Sequence, residues 1–186
     1  FHSPYGCSKG AADQYVRDYA RIYGLPTVVL RQSCIYGPRQ FGVEDQGWVA
    51  WFAIAAELGR PLTIYGDGRQ VRDILAVEDL VALYEICLER PEAVSGRIFN
   101  VGGGMEQAVS LFDVLRILEE GRGARLSWTF EDWRPGDQKV FISDVARLEA
   151  ELGWRPRILR AEGVRRLVGW VREERDMLES VLSSPA

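Results

Sequence analysis

The sequence predicts an α/β fold on three observations. Amphipathic helical segments alternate with short apolar strands along most of its 186 residues, and such alternation favours a parallel sheet covered by helices. The first strand, at residues 27–30, is β-branched, continuously apolar and preceded by a helix, which is typical of a buried parallel strand. Only two or three segments have this core-strand character, which is few for a complete doubly wound sheet.

A first helix is predicted to begin at Ser3 and to end at Gly24. Serine followed by proline supplies an N-cap and the residue favoured at the first helical position. Apolar and aromatic side chains then recur at helical spacing through Tyr23, and Gly24 with Pro26 ends the helix. After the first strand, residues 36–46 are predicted to form a loop because they are rich in glycine, proline and polar side chains.

The middle of the chain predicts two helices that flank a pair of short strands. The helices are expected at residues 48–58 and 77–89, where apolar side chains recur at helical spacing. Between them, strands are predicted at residues 62–65 and 70–75. The Asp67-Gly68 step that separates the strands is a turn signal, so the pair is predicted to be hairpin-like.

The last third of the chain continues the alternation. Its predicted elements are a strand at 97–101, a helix at 110–120 capped by Ser110, a strand at 126–130, a helix at 144–152 opened by Asp144, a helix at 160–178 and a frayed tail at 180–186. Gly102, Gly103 and Gly104 follow a strand, but Gln107 stands where the third glycine of a dinucleotide-binding fingerprint would lie. The glycine triplet is therefore predicted to be a loop.

The composition excludes several classes of protein. With 27 acidic and 23 basic side chains the net charge is −4, which argues against nucleic-acid binding through bulk charge. No apolar run approaches a membrane span, and no signal peptide is recognised. Three cysteines without a CxxC pair, together with one histidine, do not form a zinc site. Reduced thiols in a cytoplasmic protein are expected.

The strongest chemical signal is Tyr5-Gly6-Cys7-Ser8-Lys9 at the start of the first helix. Tyr5 and Lys9 are four residues apart, so their side chains share one helix face. A nearby ammonium and a helix N-terminus both favour the phenolate form. A phenolate can exchange a proton with a sugar hydroxyl while hydride leaves its carbon. Taken alone, the same spacing also fits a partly exposed helical pair.

Other candidate residues have equally ordinary alternatives. Only two of the basic residues are lysines, and arginine is suited to bidentate contacts with phosphate. Arg72 could nevertheless pair with a surface carboxylate, and Arg134 lies in a turn before Pro135. Trp48, Trp51 and Phe52 recur at helical spacing, so they fit either core packing or the stacking of a nucleobase.

The order of the motifs resembles the extended short-chain dehydrogenase/reductase family, specifically its NAD-dependent sugar-nucleotide epimerases and dehydratases. The resemblance covers essentially the whole chain. After Tyr5-Gly6-Cys7-Ser8-Lys9 and the strand at 27–31, it rests on Gly37-Pro38-Arg39, Gly66-Asp67-Gly68, Arg69-Gln70-Val71-Arg72-Asp73, Val77-Glu78-Asp79, Phe99-Asn100-Val101-Gly102 and Arg134-Pro135-Gly136-Asp137.

The resemblance implies roles for particular residues. Tyr5 is implied as the catalytic acid/base, Lys9 as the group that holds the nicotinamide ribose of NAD, and Ser33 as a neighbour of the nicotinamide. Arginine forks at two substrate positions are implied to clamp a diphosphate. No metal is implied. The substrate-binding residues implied are Cys34, Arg39, Gln40, Gln46, Arg72, Arg134 and Asp137.

Within the family, the loop Tyr36-Gly37-Pro38-Arg39-Gln40-Phe41 followed by Asp45-Gln46-Gly47-Trp48 is most similar to the branch that epimerises C2 of a CDP-dideoxyhexose. This similarity implies a nucleotide-diphosphate sugar, favourably a CDP-sugar, as substrate and transient oxidation by bound NAD. A nucleotide-sugar 4-epimerase or 4,6-dehydratase remains an alternative. So does a non-catalytic fragment that binds a nucleotide sugar or supports an assembly.

The dinucleotide fingerprint that should follow the first strand of such a fold does not occur in the sequence. The resemblance therefore implies the C-terminal part of a Rossmann-like extended short-chain dehydrogenase/reductase, with the N-terminal NAD-binding half absent. Residues 1–36 are expected to be a remnant of the NAD-binding domain. Residues 37–186 are expected to form mainly the smaller substrate-binding α/β domain, with a segment at about 69–101 returning to the first domain. Uncovered strand edges predict a homo-oligomer or completion by the N-terminal segment.

Overall fold

The structure, a computed structural model, describes residues 3–183. The helices of this part of the chain are α1 Pro4–Tyr23, α2 Trp48–Leu58, α3 Val77–Glu89, the single turn α4 Pro91–Val94, α5 Leu111–Arg122, α6 Ala146–Leu152, α7 Arg160–Glu173 and α8 Arg175–Ser183. Its strands are β1 Val28–Gln32, β2 Cys34–Tyr36, β3 Leu62–Tyr65, β4 Val71–Ala76, β5 Arg97–Val101, β6 Ala108–Ser110, β7 Trp128–Glu131 and β8 Val140–Phe141. The predicted α/β class is confirmed.

Helix α1 begins and ends where its capping residues predict. The Ser3 hydroxyl accepts a hydrogen bond of 3.0 Å from the Gly6 amide, which satisfies one of the free amides of the first turn. Gly24 adopts a left-handed conformation with φ 67° at the other end, where glycine carries no steric penalty. No residue of α1 is buried, so the helix is held on one side only.

The chain passes from one sheet to another at Ser33. Strand β1 pairs in parallel with β5, as the prediction of a parallel strand requires. After Ser33 the chain continues as β2, which pairs in parallel with β4. Strand β4 also pairs with β6, antiparallel, and with β8, parallel. The α1 side of the molecule is thereby joined directly to the side that carries β4.

Two apolar clusters hold these layers together. The larger one surrounds α2, whose residues Ala53, Ile54 and Ala55 are fully buried and which packs against α5 and α7. The smaller one lies between α3, β5 and α6, with Phe99 and Leu148 at its centre. Burial of such side chains removes apolar surface from water, which is the main favourable contribution to folding.

The predicted hairpin at residues 62–75 is wrong. Both strands exist, but β3 pairs in parallel with β7 and β4 pairs with β2, β6 and β8. The two glycines of the turn have φ 89° and 73°, and a Cβ at Gly68 would overlap the ring of Phe112. This packing directs β4 away from β3, so a local turn signal is overridden by a tertiary contact.

Three further predictions need correction. Strand β2 was not predicted: only its last residue, Tyr36, fell in the predicted loop at 36–46, and three residues are too few for a period-2 pattern to be recognised. The predicted helix at 160–178 is two helices, because α7 ends at Glu173 and α8 begins at Arg175. The tail predicted to be frayed from residue 180 instead continues α8 as far as Ser183. Residues 184–186 lie outside the described part of the chain.

Helix α7 contains two glycines whose substitution by alanine is expected to have opposite effects on stability. A Cβ at Gly163 would overlap the Tyr36 hydroxyl and lie 2.9 Å from its ring carbon Cζ, and Tyr36 is buried. We expect Gly163→Ala to lower the free energy of unfolding by about 1–3 kcal/mol, because the core must shift. Gly169→Ala, where nothing lies within 4 Å, should raise it by about 0.5–1 kcal/mol through helix propensity. Urea denaturation of both variants measures the difference, and equal effects would contradict this packing.

Candidate active site

A cavity of about 410 Å³ lies between α2, β3, β4 and the loop before β8. The aromatic side chains of α2 form one wall, and charged groups form the mouth. A ligand of mixed character, with an apolar plane and an anionic group, fits such a lining. The lining residues are Ser3, Cys34, Glu44, Asp45, Gly47, Trp48, Trp51, Phe52, Thr63, Tyr65, Gln70, Arg72, Leu111, Arg134, Pro135, Gly136 and Asp137.

Arg72 projects into the cavity from β4. Its Nη2 donates to Asp137 Oδ1 at 2.8 Å, and its Nη1 donates to the backbone oxygen of Val71 at 2.9 Å. The ion pair is mostly shielded, with side-chain exposures of 14% for Arg72 and 27% for Asp137. The sequence left open an ion pair between Arg72 and a surface carboxylate. Arg72 does pair with a carboxylate, but the pair lines the cavity.

Arg134 approaches the same cavity from the loop that precedes β8. Its guanidinium lies 3.9 Å from the centroid of the Tyr65 ring, a cation–π stack. Its Nη2 forms an ion pair of 2.8 Å with Asp45 and donates to the backbone oxygen of Glu44 at 3.4 Å. The Tyr65 hydroxyl donates to Glu44 Oε1 at 3.1 Å. These contacts link the loop before α2 to the opposite side of the cavity mouth.

Cys34 is the first residue of β2 and lines the inner part of the cavity. Burial raises the pKa of its thiol, and a hydrogen bond with Trp48 and the charge of Arg72 oppose this effect in part. The protonated thiol is therefore the dominant form at neutral pH. Cys34 is a free cysteine, as are the exposed Cys7 and the buried Cys87.

Tyr5 and Lys9 lie on one face of α1, as their spacing predicts. The Lys9 Nζ is 5.4 Å from the centroid of the Tyr5 ring, and 69% of Tyr5 is exposed. Ser3, the N-cap of α1, lines the cavity. The helix that carries the Tyr–Lys pair therefore begins at the edge of the cavity.

Tyr5 and Lys9 are themselves absent from the cavity lining, and four more of the predicted site residues lie elsewhere. The Ser33 hydroxyl is 2.6 Å from Asp73 Oδ1 and 2.9 Å from the Asp73 backbone oxygen, so it points into the protein. The Gln40 side chain donates to the backbone oxygen of Ile35 at 3.3 Å and braces its own loop. Arg39, with φ 68°, and Gln46 are exposed and outside the cavity lining.

The cavity also contains residues that sequence reasoning did not select. Asp45 and Gln70 lie within family motifs but were assigned no ligand contact, and no motif includes the other four, Glu44, Thr63, Tyr65 and Leu111. The α2 aromatics, for which packing and stacking were both open, belong to the cavity wall and the core together: Phe52 is buried, and Trp48 packs against it with ring centroids 5.7 Å apart. Their apolar spacing alone could not separate these two roles.

The residues 3–183 contain no group of three or more His, Cys, Asp or Glu side chains that could hold a metal ion. In the same part of the chain, no helix has the length and apolar character needed to cross a bilayer.

Known proteins share both the sequence and the fold. The family model for the NAD dependent epimerase/dehydratase family matches residues 1–102. A CDP-paratose 2-epimerase from Salmonella typhi is 43% identical over 175 residues, which cover 91% of this chain and 52% of the relative. The chain thus spans about half the length of the curated relatives it matches.

Solved structures of nucleotide-sugar enzymes share the fold of this chain. A UDP-glucose 4-epimerase from Thermotoga maritima, solved with UDP-glucose, has a TM-score of 0.83 and 32% identity over 92% of this chain and 54% of that one. A dTDP-glucose 4,6-dehydratase double mutant from Streptomyces venezuelae, solved with NAD bound, has a TM-score of 0.85 and 31% identity over 97% and 54%. The fold is therefore the Rossmann-like fold of these enzymes, and the chain belongs to the NAD dependent epimerase/dehydratase family.

Proposed function

We propose that the chain supplies the substrate cavity and the catalytic tyrosine of a nucleotide-sugar epimerase that inverts C2 of a CDP-dideoxyhexose. The observation that carries this proposal is the cavity, in which Arg72 and Arg134 from distant segments face the same space beside the N-terminus of α1. The 43% identity to a CDP-paratose 2-epimerase supports the choice of sugar nucleotide.

The two arginines are the proposed diphosphate clamp. Each has a carboxylate partner at 2.8 Å, Asp137 for Arg72 and Asp45 for Arg134. A bound diphosphate replaces one or both carboxylates, and charge-assisted bonds from two guanidinium forks hold it in one orientation. The aromatic wall formed by Trp48, Trp51 and Phe52 is the proposed seat of the nucleobase.

The proposed chemistry at the sugar depends on Tyr5. Its phenolate removes a proton from the sugar hydroxyl during oxidation, and the resulting phenol returns the proton during reduction; Lys9 on the same helix face supports the phenolate. NAD, when bound, would supply the hydride chemistry at the sugar carbon. Among the described residues, Tyr5 and Lys9 fit the nicotinamide-ribose end of this cofactor, whereas Ser33 is engaged with Asp73.

A 4-epimerase or a 4,6-dehydratase is the second candidate. It is favoured by relatives such as the dTDP-glucose 4,6-dehydratase of Escherichia coli, which is 34% identical over 188 residues. The products formed from CDP-paratose, UDP-galactose and dTDP-glucose separate these activities. Absence of turnover together with CDP binding would instead favour a binding module.

The domain assignment is part of the same proposal. Residues 1–36 and the segment 69–101 would belong to the NAD-binding side, and most of residues 37–186 to the substrate side. The pairing of β1 with β5 and the contact of α1 with β1 support this division. The three free thiols support a reducing compartment such as the cytoplasm.

The proposed partner surface consists of α1 and the outer edge of β1. Within residues 3–183, β1 pairs only with β5, so its other edge offers unpaired amides and carbonyls. Tyr15, Tyr19 and Tyr23 of α1 are half exposed or more. The proposed occupant is the NAD-binding part of the family fold, because the chain covers only 54% of its solved neighbours.

Cys34 reports directly on occupancy of the cavity. We expect CDP to slow alkylation of Cys34 by iodoacetamide roughly tenfold at a CDP concentration about ten times Kd, because a bound ligand excludes the reagent. The raised pKa of the Cys34 thiol means that its alkylation accelerates at higher pH than that of an ordinary thiol. Peptide mass spectrometry over time measures the rate at each cysteine.

The exposed Cys7 is the internal control, because CDP should leave its alkylation unchanged. Arg72→Lys keeps the charge but loses the fork, so it should weaken protection by CDP more than protection by cytidine. Arg69→Lys, a neighbouring exposed arginine outside the cavity, should behave as the unaltered chain. Equal labelling of Cys34 with and without CDP would exclude the cavity as a CDP site.

The partner surface predicts complementation. We expect the chain, co-expressed with the remaining half of the Salmonella typhi relative, to elute as a one-to-one complex, because a strand can pair with the free β1 edge. Light scattering during size-exclusion chromatography measures the mass. A stable monomer that does not bind the added half, or a homodimer that excludes it, would contradict the proposal that the NAD-binding part of the family fold covers this surface.

Tyr5 is expected to be essential for turnover. In the complemented enzyme, Tyr5→Phe should abolish epimerisation and leave the Kd for the CDP-sugar within about twofold, because only the proton-transferring hydroxyl is removed. Tyr15→Phe, on the same helix and in the proposed partner surface but without a role in proton transfer, is the matched control. Chromatography of the reaction products measures epimerisation. Activity retained by Tyr5→Phe would contradict the catalytic role of Tyr5.

A further inference from the structure

The carboxylate of Asp73 lies completely buried where the two sheets meet. Its Oδ1 accepts a hydrogen bond of 2.6 Å from the Ser33 hydroxyl, and its Oδ2 accepts one of 3.1 Å from the Gly104 amide. Both donors are uncharged. A buried carboxylate costs considerable free energy unless its hydrogen bonds are made, so this arrangement calls for a reason beyond packing.

Each end of the Ser33–Asp73 bond is the chain neighbour of a cavity residue. Cys34 follows Ser33, and Arg72 precedes Asp73; both Cys34 and Arg72 line the cavity. Successive side chains along an extended backbone point to opposite sides. The Ser33–Asp73 bond therefore joins, on the side away from the cavity, the two backbone segments that carry Cys34 and Arg72.

The glycine triplet after β5 completes this arrangement. A Cβ at Gly102 would overlap Asp73 Oδ2 and crowd the hydroxyl of Ser143, and the amide of Gly104 is the second donor to the carboxylate. Ser33 also donates its amide to the backbone oxygen of Val101 at 2.8 Å. The triplet thus provides room and a hydrogen bond for Asp73 rather than a phosphate-binding loop.

We propose that Asp73 is a positioning residue, which holds Cys34 and Arg72 in the relative placement that the ligand cavity requires. This inference rests on the proposed function, because it assigns Asp73 to the same nucleotide-sugar site. Asp73 touches no ligand itself and acts through its bond to Ser33. Loss of the bond lets the β1–β2 junction shift relative to β4, which changes the spacing between Cys34 and Arg72 on these neighbouring strands.

Four variants of the chain test this role by calorimetric titration with CDP. Asp73→Asn should weaken CDP binding about five- to tenfold, since the amide NH2 group replaces one of the two oxygens that accept these bonds. Ser33→Ala should weaken it about threefold, and Ser33→Thr, which keeps the hydroxyl, should stay within about twofold. Gln107→Met is the matched control: Gln107 is also buried, and its Oε1 accepts a bond of 2.7 Å from the Arg160 amide, away from the cavity lining.

A second readout separates positioning from general stability. The negative charge of Asp73 contributes to the raised pKa of the Cys34 thiol, so Asp73→Asn should move the pH profile of Cys34 alkylation to lower pH. Gln107→Met should lower the thermal midpoint without moving this profile or the Kd for CDP. A purely structural role predicts that all variants lose CDP affinity only in proportion to the unfolded fraction.

The outcomes are distinguishable. If Asp73→Asn does not fold, the comparison of Ser33→Ala with Ser33→Thr decides. Unchanged CDP affinity in Ser33→Ala, or an equal loss in Gln107→Met, would overturn the inference. If the unaltered chain binds no CDP, the proposed ligand fails, and the pH profile of Cys34 alone decides whether Asp73 sets the surroundings of the thiol.

Discussion

The junction at Ser33 is the constraint on which the rest of the structure depends. The chain leaves the sheet that supports α1 and enters the sheet that contains β4 within a single residue. Because the step is so short, the two sheets cannot be placed independently. The buried carboxylate of Asp73 and the glycines after β5 lie at this point, so the relation between the α1 face and the arginine face is fixed by a few hydrogen bonds.

The cavity beyond the junction has no excess of positive charge. Its lining contains two arginines and three carboxylates, and each arginine is paired at 2.8 Å. A site of this kind does not attract anions through net charge, which agrees with the acidic composition of the whole chain. Its selectivity must come from geometry: planar forks at fixed positions beside an aromatic wall. This is the arrangement expected for a ligand in which a diphosphate joins a base to a sugar.

The exposed side of the molecule has a different character. Helix α1 has no buried residue, although it carries the Tyr–Lys pair. Its stability comes from its caps and from contact with β1, and not from an apolar face enclosed by the described residues. The proposed catalytic pair and the proposed diphosphate clamp lie on opposite sides of the Ser33 junction.

The sequence by itself determined the elements whose signals are local. The caps of α1, the Ser110 capping box of α5 and the family motifs depend on neighbouring residues, so they are readable without a structure. Only the tertiary structure decided the strand partners and the composition of the cavity. Strand β3 pairs with β7, and Arg72 meets Asp137 across 65 residues of sequence. A turn signal such as Asp67-Gly68 specifies a reversal of the chain but not a partner, because strand pairing is settled by side-chain packing between distant segments.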